Sequence, residues 1–230
     1  MQCFCLLKCD GVAMSSWEQR TDYLVEVAQR CLRGHQSFDL YRSHLVAASQ
    51  ISKGTIYNHF TTEADLVVAV ACAQYQDWLI SAKQDRQQYS DPFECYLFHH
   101  CQRLHDVLAH KRFVIERVMP NQELLQQASE VYRHRFSDLL DQYKKWNKNI
   151  ILSVGERPGF DRYELLKNYI RGTMINSDDG SKQCGDVQTY YQFSYAMGQL
   201  MGHSDKRIPT KQKFTDWLLQ LHGQAATSAA

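Results

Sequence analysis

From Leu24 to Leu221, apolar residues return every three or four positions and almost nowhere at every second one. That spacing lines one face of a helix, whereas a half-buried strand needs strict alternation. The fullest instance is Leu125, Ala128, Tyr132, Phe136, Leu139, Tyr143, Trp146 and Ile150, which predicts one long amphipathic helix ending near Leu152. Only four prolines interrupt 230 residues, and 44% hydrophobic content is enough for a packed core. The chain is therefore expected to be all-α. Its longest apolar run, LVVAVACA at 66–73, falls far short of the ~20 residues that span a bilayer, so no membrane partner is expected.

Caps and breakers divide the pattern into segments. A first helix is expected from Trp17 to Arg33, with Leu24, Val27, Ala28, Cys31 and Leu32 inside and Gly34 ending it. Asp39 is expected to cap a second helix that runs to Ser49 and buries Tyr41, Leu45 and Ala48. Ser52 opens a third. Thr62, with Asp65 three residues on, opens a long fourth through Leu66, Val70, Ala73 and Trp78. Beyond it, Asp91-Pro92 starts a helix to His110, and Pro120 ends or kinks the next. A break follows at Gly155–Gly159. Asp161 caps a helix with Leu165, Leu166, Tyr169, Ile170 and Met174 along one side, and residues 176–186 read as a polar loop. Helices at Val187–His203 and Lys211–His222 close the chain. The expected organisation is a disordered leader at 1–15, a three-helix helix-turn-helix head at 16–62, a C-terminal helical bundle at 63–224 and a flexible tail at 225–230. The sequence leaves open whether translation starts at Met1 or Met14.

The third helix, within SQISKGTIYNHF at 49–60, carries the chemistry. Ile56 and Phe60, four apart, define its buried stripe. At 100° per residue, Gly54 and Asn58 point away from that stripe, Thr55 and Tyr57 sit on its shoulders, and Lys53 and His59 flank its base. A glycine inside a helix costs about 1 kcal/mol relative to alanine. That cost is explained if another molecule approaches the backbone there. A helix in the DNA major groove fits: Asn58 can bridge adenine N6 and N7, and Thr55 can meet a thymine methyl. Lys53, Tyr57 and His59 are placed for phosphates, as are Arg42 and Ser43 near the start of the second helix. Ser52 supplies the cap. The preceding helix and turn complete a helix-turn-helix.

The stretch LVAASQISKGTIYNHFTTEADLVVAV, residues 45–70, resembles the DNA-binding module of the TetR/AcrR family of bacterial regulators. Ser52, Lys53, Gly54, Thr55, Tyr57, His59, Phe60 and Leu66 stand as in the family pattern, with Ile56 in place of Leu. Three positions depart from it. Gln50 stands at the turn glycine, Ser49 at the preceding alanine, and Glu63 at the basic residue that opens the fourth helix. The resemblance implies a homodimer that binds a double-stranded DNA operator with palindromic half-sites, usually as a repressor. It also implies a small-molecule effector bound in the body and a cytoplasmic, nucleoid-associated location. The family pairs two late helices with a partner's, and 161–175 and 187–203 are similar in position. Leu166, Tyr169, Ile170, Tyr191, Tyr195, Gly198 and Gly202 are the expected dimer surface, intrachain packing being the other reading. Trp78, Tyr96, Phe98, Phe113, Tyr132, Trp146, Tyr169 and Met174 are expected to line an effector cavity, unless they are plain core.

Bulk charge argues for no partner: the net charge is +1, and 17–66 holds five Lys/Arg against six Asp/Glu. Any DNA footprint must come from placement. Eight cysteines without a CxxC pair read as reduced thiols. The i, i+4 pairs Cys95–His99 and Cys101–His105 face directions roughly 120° apart, so no metal site is expected of them. No GxSxG, Walker or GxGxxG motif is present; neither enzyme activity nor a cofactor is expected. The rival to DNA binding is a helical small-molecule-binding or interaction protein that no longer binds DNA specifically.

Overall fold

The computed structural model describes residues 16–154, 161–180 and 182–227, with side chains to residue 223. The expected leader and the Gly155–Gly159 break lie outside these residues. Among them every regular element is helical. α1 (Ser16–Cys31), α2 (Arg42–Ser49) and α3 (Lys53–His59) form the head, and α4 (Glu63–Gln88) leads from it into the body. The body continues with α5 (Pro92–His110), a 3₁₀ turn at Ile115–Arg117, α6 (Gln122–Gln127), α7 (Glu130–Ser153), α8 (Arg162–Asp179), α9 (Val187–Leu200) and α10 (Lys211–Thr227).

The caps explain most boundaries. Thr62 and Asp65 form a reciprocal capping box at the start of α4, and Asp91 accepts from the Phe93 N–H with Pro92 in the first turn of α5. Asp161 accepts from the Glu164 N–H to open α8. Gly34, at φ +76°, turns the chain after α1, and its N–H donates to the Lys111 carbonyl at 2.8 Å.

Four boundaries differ from expectation. Asp39 does not cap α2, because its carboxylate holds His35 Nδ1 at 2.8 Å; the helix starts after Tyr41. Leu45 and Ser49 are its buried residues, while Tyr41 and Ala48 are exposed. The long stripe from Leu125 is broken between α6 and α7, since the Ser129 N–H is drawn 2.7 Å from Asp65 Oδ1 instead of continuing a helix ladder. α8 extends through Asp179, well into the expected polar loop. The Arg117 guanidinium binds Asp178 and Asp179 and also reaches the Ile175 carbonyl. That cation offsets two carboxylates at a helix C-terminus, where the dipole disfavours them. α10 runs past His222 to Thr227, into the expected tail.

Two apolar clusters hold the chain together. One joins the head to α4, α6 and the first half of α7; the other joins α5, the end of α7, α8, α9 and α10. Trp146 packs against both. α4 is buried on nearly all sides through its first half, so it is a shaft inside the molecule and not a surface helix.

Candidate nucleic-acid interface

α3 is seated by three buried side chains. Ile56 and Phe60 are fully buried, each contributing ~1.5–3 kcal/mol by apolar burial. Ser52 accepts from the Thr55 N–H at 3.3 Å, and its hydroxyl lies 2.9 Å from the Thr55 hydroxyl. Lys53, Gly54 and Asn58 are exposed, and Thr55 and Tyr57 are half-buried. A Cβ on Gly54 would meet nothing within 4 Å, so this glycine leaves open space on the outer face.

The third buried side chain is His59, which was expected on a phosphate. It is only 3% exposed, stacks on Trp17 with ring centroids 4.7 Å apart, and places Nδ1 2.8 Å from Thr21 Oγ1. Burial, helped by the nearby Arg20, holds its pKa below the usual histidine value. His59 is therefore a neutral ring tying α3 to α1, and the phosphate expectation fails for it.

Arg42 also leaves the expected set. Its Nε and its backbone N–H both donate to the Glu63 carboxylate at 2.9 Å, and Nη1 donates to the Phe60 and Thr61 carbonyls. The guanidinium also lies over the Tyr57 ring, 4.3 Å from its centroid. Through these contacts it clamps the start of α2 to the corner between α3 and α4. Glu63, where the family pattern has a base, is its partner. Ser43 stays exposed beside it, at the start of α2.

The turn accommodates its two departures together. Gln50 adopts the left-handed region at φ 59°, ψ 20°. Ser49 donates to the Leu45 carbonyl at 2.6 Å and accepts from the Ile51 N–H at 3.2 Å, and Tyr23 donates to the Ser49 carbonyl. These bonds hold a turn that a glycine would adopt without strain.

Body and head meet at the end of α3. Tyr132 on α7 donates to the His59 carbonyl at 2.9 Å. Asp65, fully buried, accepts from Thr61 Oγ1, the Thr62 N–H and the Ser129 N–H. Burial pushes its carboxyl up, but these bonds outweigh burial and hold it below the ordinary carboxylate value. Tyr132 was expected in an effector cavity and instead grips the candidate reading helix. Position along the stripe could not reveal this, because the acceptor lies 73 residues away.

Behind the head, a narrow gap with a cavity volume of about 10 Å³, room for about one water, lies between α4, α5, the 112–116 segment and α8. Trp78, Phe113 and Met174 line it; Tyr96, Phe98, Trp146 and Tyr169 do not. Tyr96 packs on His100 and Trp146, Phe98 on Tyr89, Phe214 and Trp217, and Tyr169 on Phe193. Sequence reasoning missed the polar lining. Arg103 stacks on Trp78 at 3.7 Å, bonds Tyr143 at 3.1 Å and pairs with Glu116. A second gap, also of about 10 Å³, shares Gln74, Arg112 and Phe113 and reaches Gln29 and Leu32 at the α1 end. The side-chain amides of Gln29 and Gln74 and Nε of Arg103 are buried donors without a partner.

The expected dimer residues divide. Leu166, Ile170 and Gly198 are buried within the chain; a Cβ on Gly198 would collide with Ile208. Gly202, at φ +80°, lies against the Arg162 guanidinium. Tyr169 and Tyr191 pack on Phe193 and Phe214. Tyr195 is exposed, as is Leu165, on the outer sides of α9 and α8. Gly198 and Gly202 thus serve close approach within the chain. Cys95 and Cys101 are pushed by burial to about 11 and 12, which keeps both as neutral thiols.

No protein-family model matches this chain, and no curated protein sequence matches it. Solved structures do. A regulatory protein TetR from Rhodobacter sphaeroides superposes with a TM-score of 0.59 at 13% identity, covering 78% of this chain and 97% of that one. A TetR-family transcriptional regulator from Agrobacterium tumefaciens gives 0.59 at 15% identity, covering 80% and 98%. RolR in complex with resorcinol gives 0.53 at 12% identity, covering 84% and 97%. The chain has the fold of the TetR regulators, an N-terminal helix-turn-helix on a helical body.

Proposed function

We propose that this chain is a sequence-specific DNA-binding transcriptional regulator, a homodimeric repressor released by a small molecule. The outward polar face of α3 carries the reading: Lys53, Gly54 and Asn58 are exposed while Ile56, His59 and Phe60 hold the helix down. Asn58 and Thr55 would address base edges. Lys53, Tyr57, Ser43 and the α3 N-terminus around Ser52 would meet phosphates. The exposed sides of α8 and α9, with Leu165 and Tyr195, are where a second copy would pair, setting two heads on one axis over a palindromic operator. Its place of action is then the cytoplasm, on the nucleoid.

An effector would bind by opening the space around Gln74, Arg112 and Phe113, which has room for about one water in this packing. Unpartnered donors on Gln74 and Arg103 favour a small molecule bearing acceptor oxygens, next to the Trp78 and Phe113 rings. RolR, of the same fold, holds resorcinol. A ligand acts only through different affinity for two head positions, and one that widened the gap between the α1 end and α4 would have that difference.

One observation favours the rival reading of a binding protein without an operator: Arg42 and His59 serve the interior and Glu63 adds an acid. Selecting genomic fragments on the purified full chain at low salt separates the two. Enrichment of an inverted repeat is expected. Failure to retain any duplex would leave the rival standing.

A further inference from the structure

At the end of α5, away from α3, three potential ligands converge. Donor atoms of His105, Asp106 and His110 all lie within 4.8 Å of one another. His222, on α10, adds a third imidazole, its ring centroid 6.3 Å from that of His105. His105 is only 5% exposed, yet neither of its ring nitrogens has a hydrogen-bond partner. Buried polar atoms are almost always satisfied, so an imidazole with both nitrogens orphaned asks for an explanation. Its neighbours Tyr190 and Trp217 present rings around it.

We propose that His105, Asp106 and His110 form a binding site for a divalent transition-metal ion, with His222 completing the set from α10. Two or three imidazoles and a carboxylate are borderline donors suited to Zn²⁺, Co²⁺ or Ni²⁺, not to Mg²⁺ or Ca²⁺. Around a tetrahedral ion such ligands stand ~3.3 Å apart. His110 is exposed and Asp106 half-exposed, so side-chain rotation closes the remaining gap. Asp106 is already oriented from behind: Gln102 Nε2 donates to its Oδ1 at 2.9 Å, the kind of outer bond that fixes a metal carboxylate. Arg112, 3.7 Å from Asp106 Oδ2, opposes the ion's charge but is also held by Asp77. An ion here would fasten α10 to the end of α5, next to Lys111, whose carbonyl accepts the Gly34 N–H of the head.

Titration of the untagged, reduced full chain with CoCl₂ tests the site by visible absorption. One Co²⁺ per chain is expected, with the d–d bands of a tetrahedral nitrogen and oxygen site. His110→Ala should abolish it and His222→Ala should weaken it. Both side chains are exposed, so the variants keep their fold, which circular dichroism verifies. His134→Ala, on the exposed face of α7, should leave binding unchanged. The site is overturned by absence of stoichiometric binding, by a thiolate charge-transfer band placing Co²⁺ on cysteine, or by binding that survives His110→Ala.

Discussion

Head and body handle polar side chains in opposite ways. In the head, Lys53, Gly54 and Asn58 stand outside a short helix held by buried residues beneath. In the body, His99, His100, Arg103, His105, Asn147, Ser177 and Ser194 are inside. Some are fully occupied: His99 lies 2.8 Å from both Asp85 and Tyr143. Others, at Gln74 and His105, keep unpartnered atoms. Burying a polar group is unfavourable unless it is bonded, so the occupied groups fix one packing and the unpartnered ones carry a cost that a bound water or ligand would offset. The head turns its polar groups to solvent, and the body encloses its own.

Removing Arg103 should break this contrast most severely. Arg103→Ala leaves the partly buried Glu116 without its cation and strips the Trp78 and Tyr143 contacts, and should destabilise the body by up to ~3–5 kcal/mol in urea unfolding. A loss below about 1 kcal/mol would mean that water already serves Glu116.

Changes on the outer face of α3 should instead spare stability and alter binding. Asn58→Ala is expected to relax preference at one base pair by ~1–3 kcal/mol. Lys53→Ala should weaken all sequences alike and lower the salt slope by about one. Binding titrations over a substituted operator series distinguish them, and a uniform loss from Asn58→Ala would deny it a base-reading role.

Acid sharpens the difference within the head itself. The folded pKa of His59 lies below its unfolded value, so the unfolded chain takes up the proton first and stability rises with pH. Stability contributed by the neutral ring is complete above about pH 6.5 and is lost as pH falls through the folded value. Thermal unfolding followed by pH should show this slope, and His59→Asn should flatten it.

The smallest expected effect is at the turn. Gln50→Gly relieves a left-handed conformation but adds freedom to the unfolded chain, for a net gain of up to about 1 kcal/mol in denaturant unfolding.

Local signals were legible in the sequence, and distant partners were not. Ser52, Thr62, Asp91 and Asp161 could be read as caps because cap and recipient lie within three residues. The apolar stripe of α3 follows from period alone. The break between α6 and α7 depends on Asp65 reaching Ser129 across 64 positions, which no window shows. Gly198 and Gly202 read as small residues for a partner because Ile208 and Arg162 are not adjacent in a helical projection. His59 matched its family position, yet that match says nothing about which side of the helix is covered. The His105 cluster was hidden for a different reason: His105 was paired by spacing with Cys101, whose thiol instead lies 3.2 Å from Ser194.

The bond from Tyr132 to the His59 carbonyl has a thermodynamic corollary for the proposed regulator. An agent that releases the duplex by displacing α7 must be held less tightly by duplex-loaded protein, and by the same factor. The operator would be as much an antagonist of that agent as the agent is of the operator. Two titrations run in opposite directions would then have to return one coupling constant.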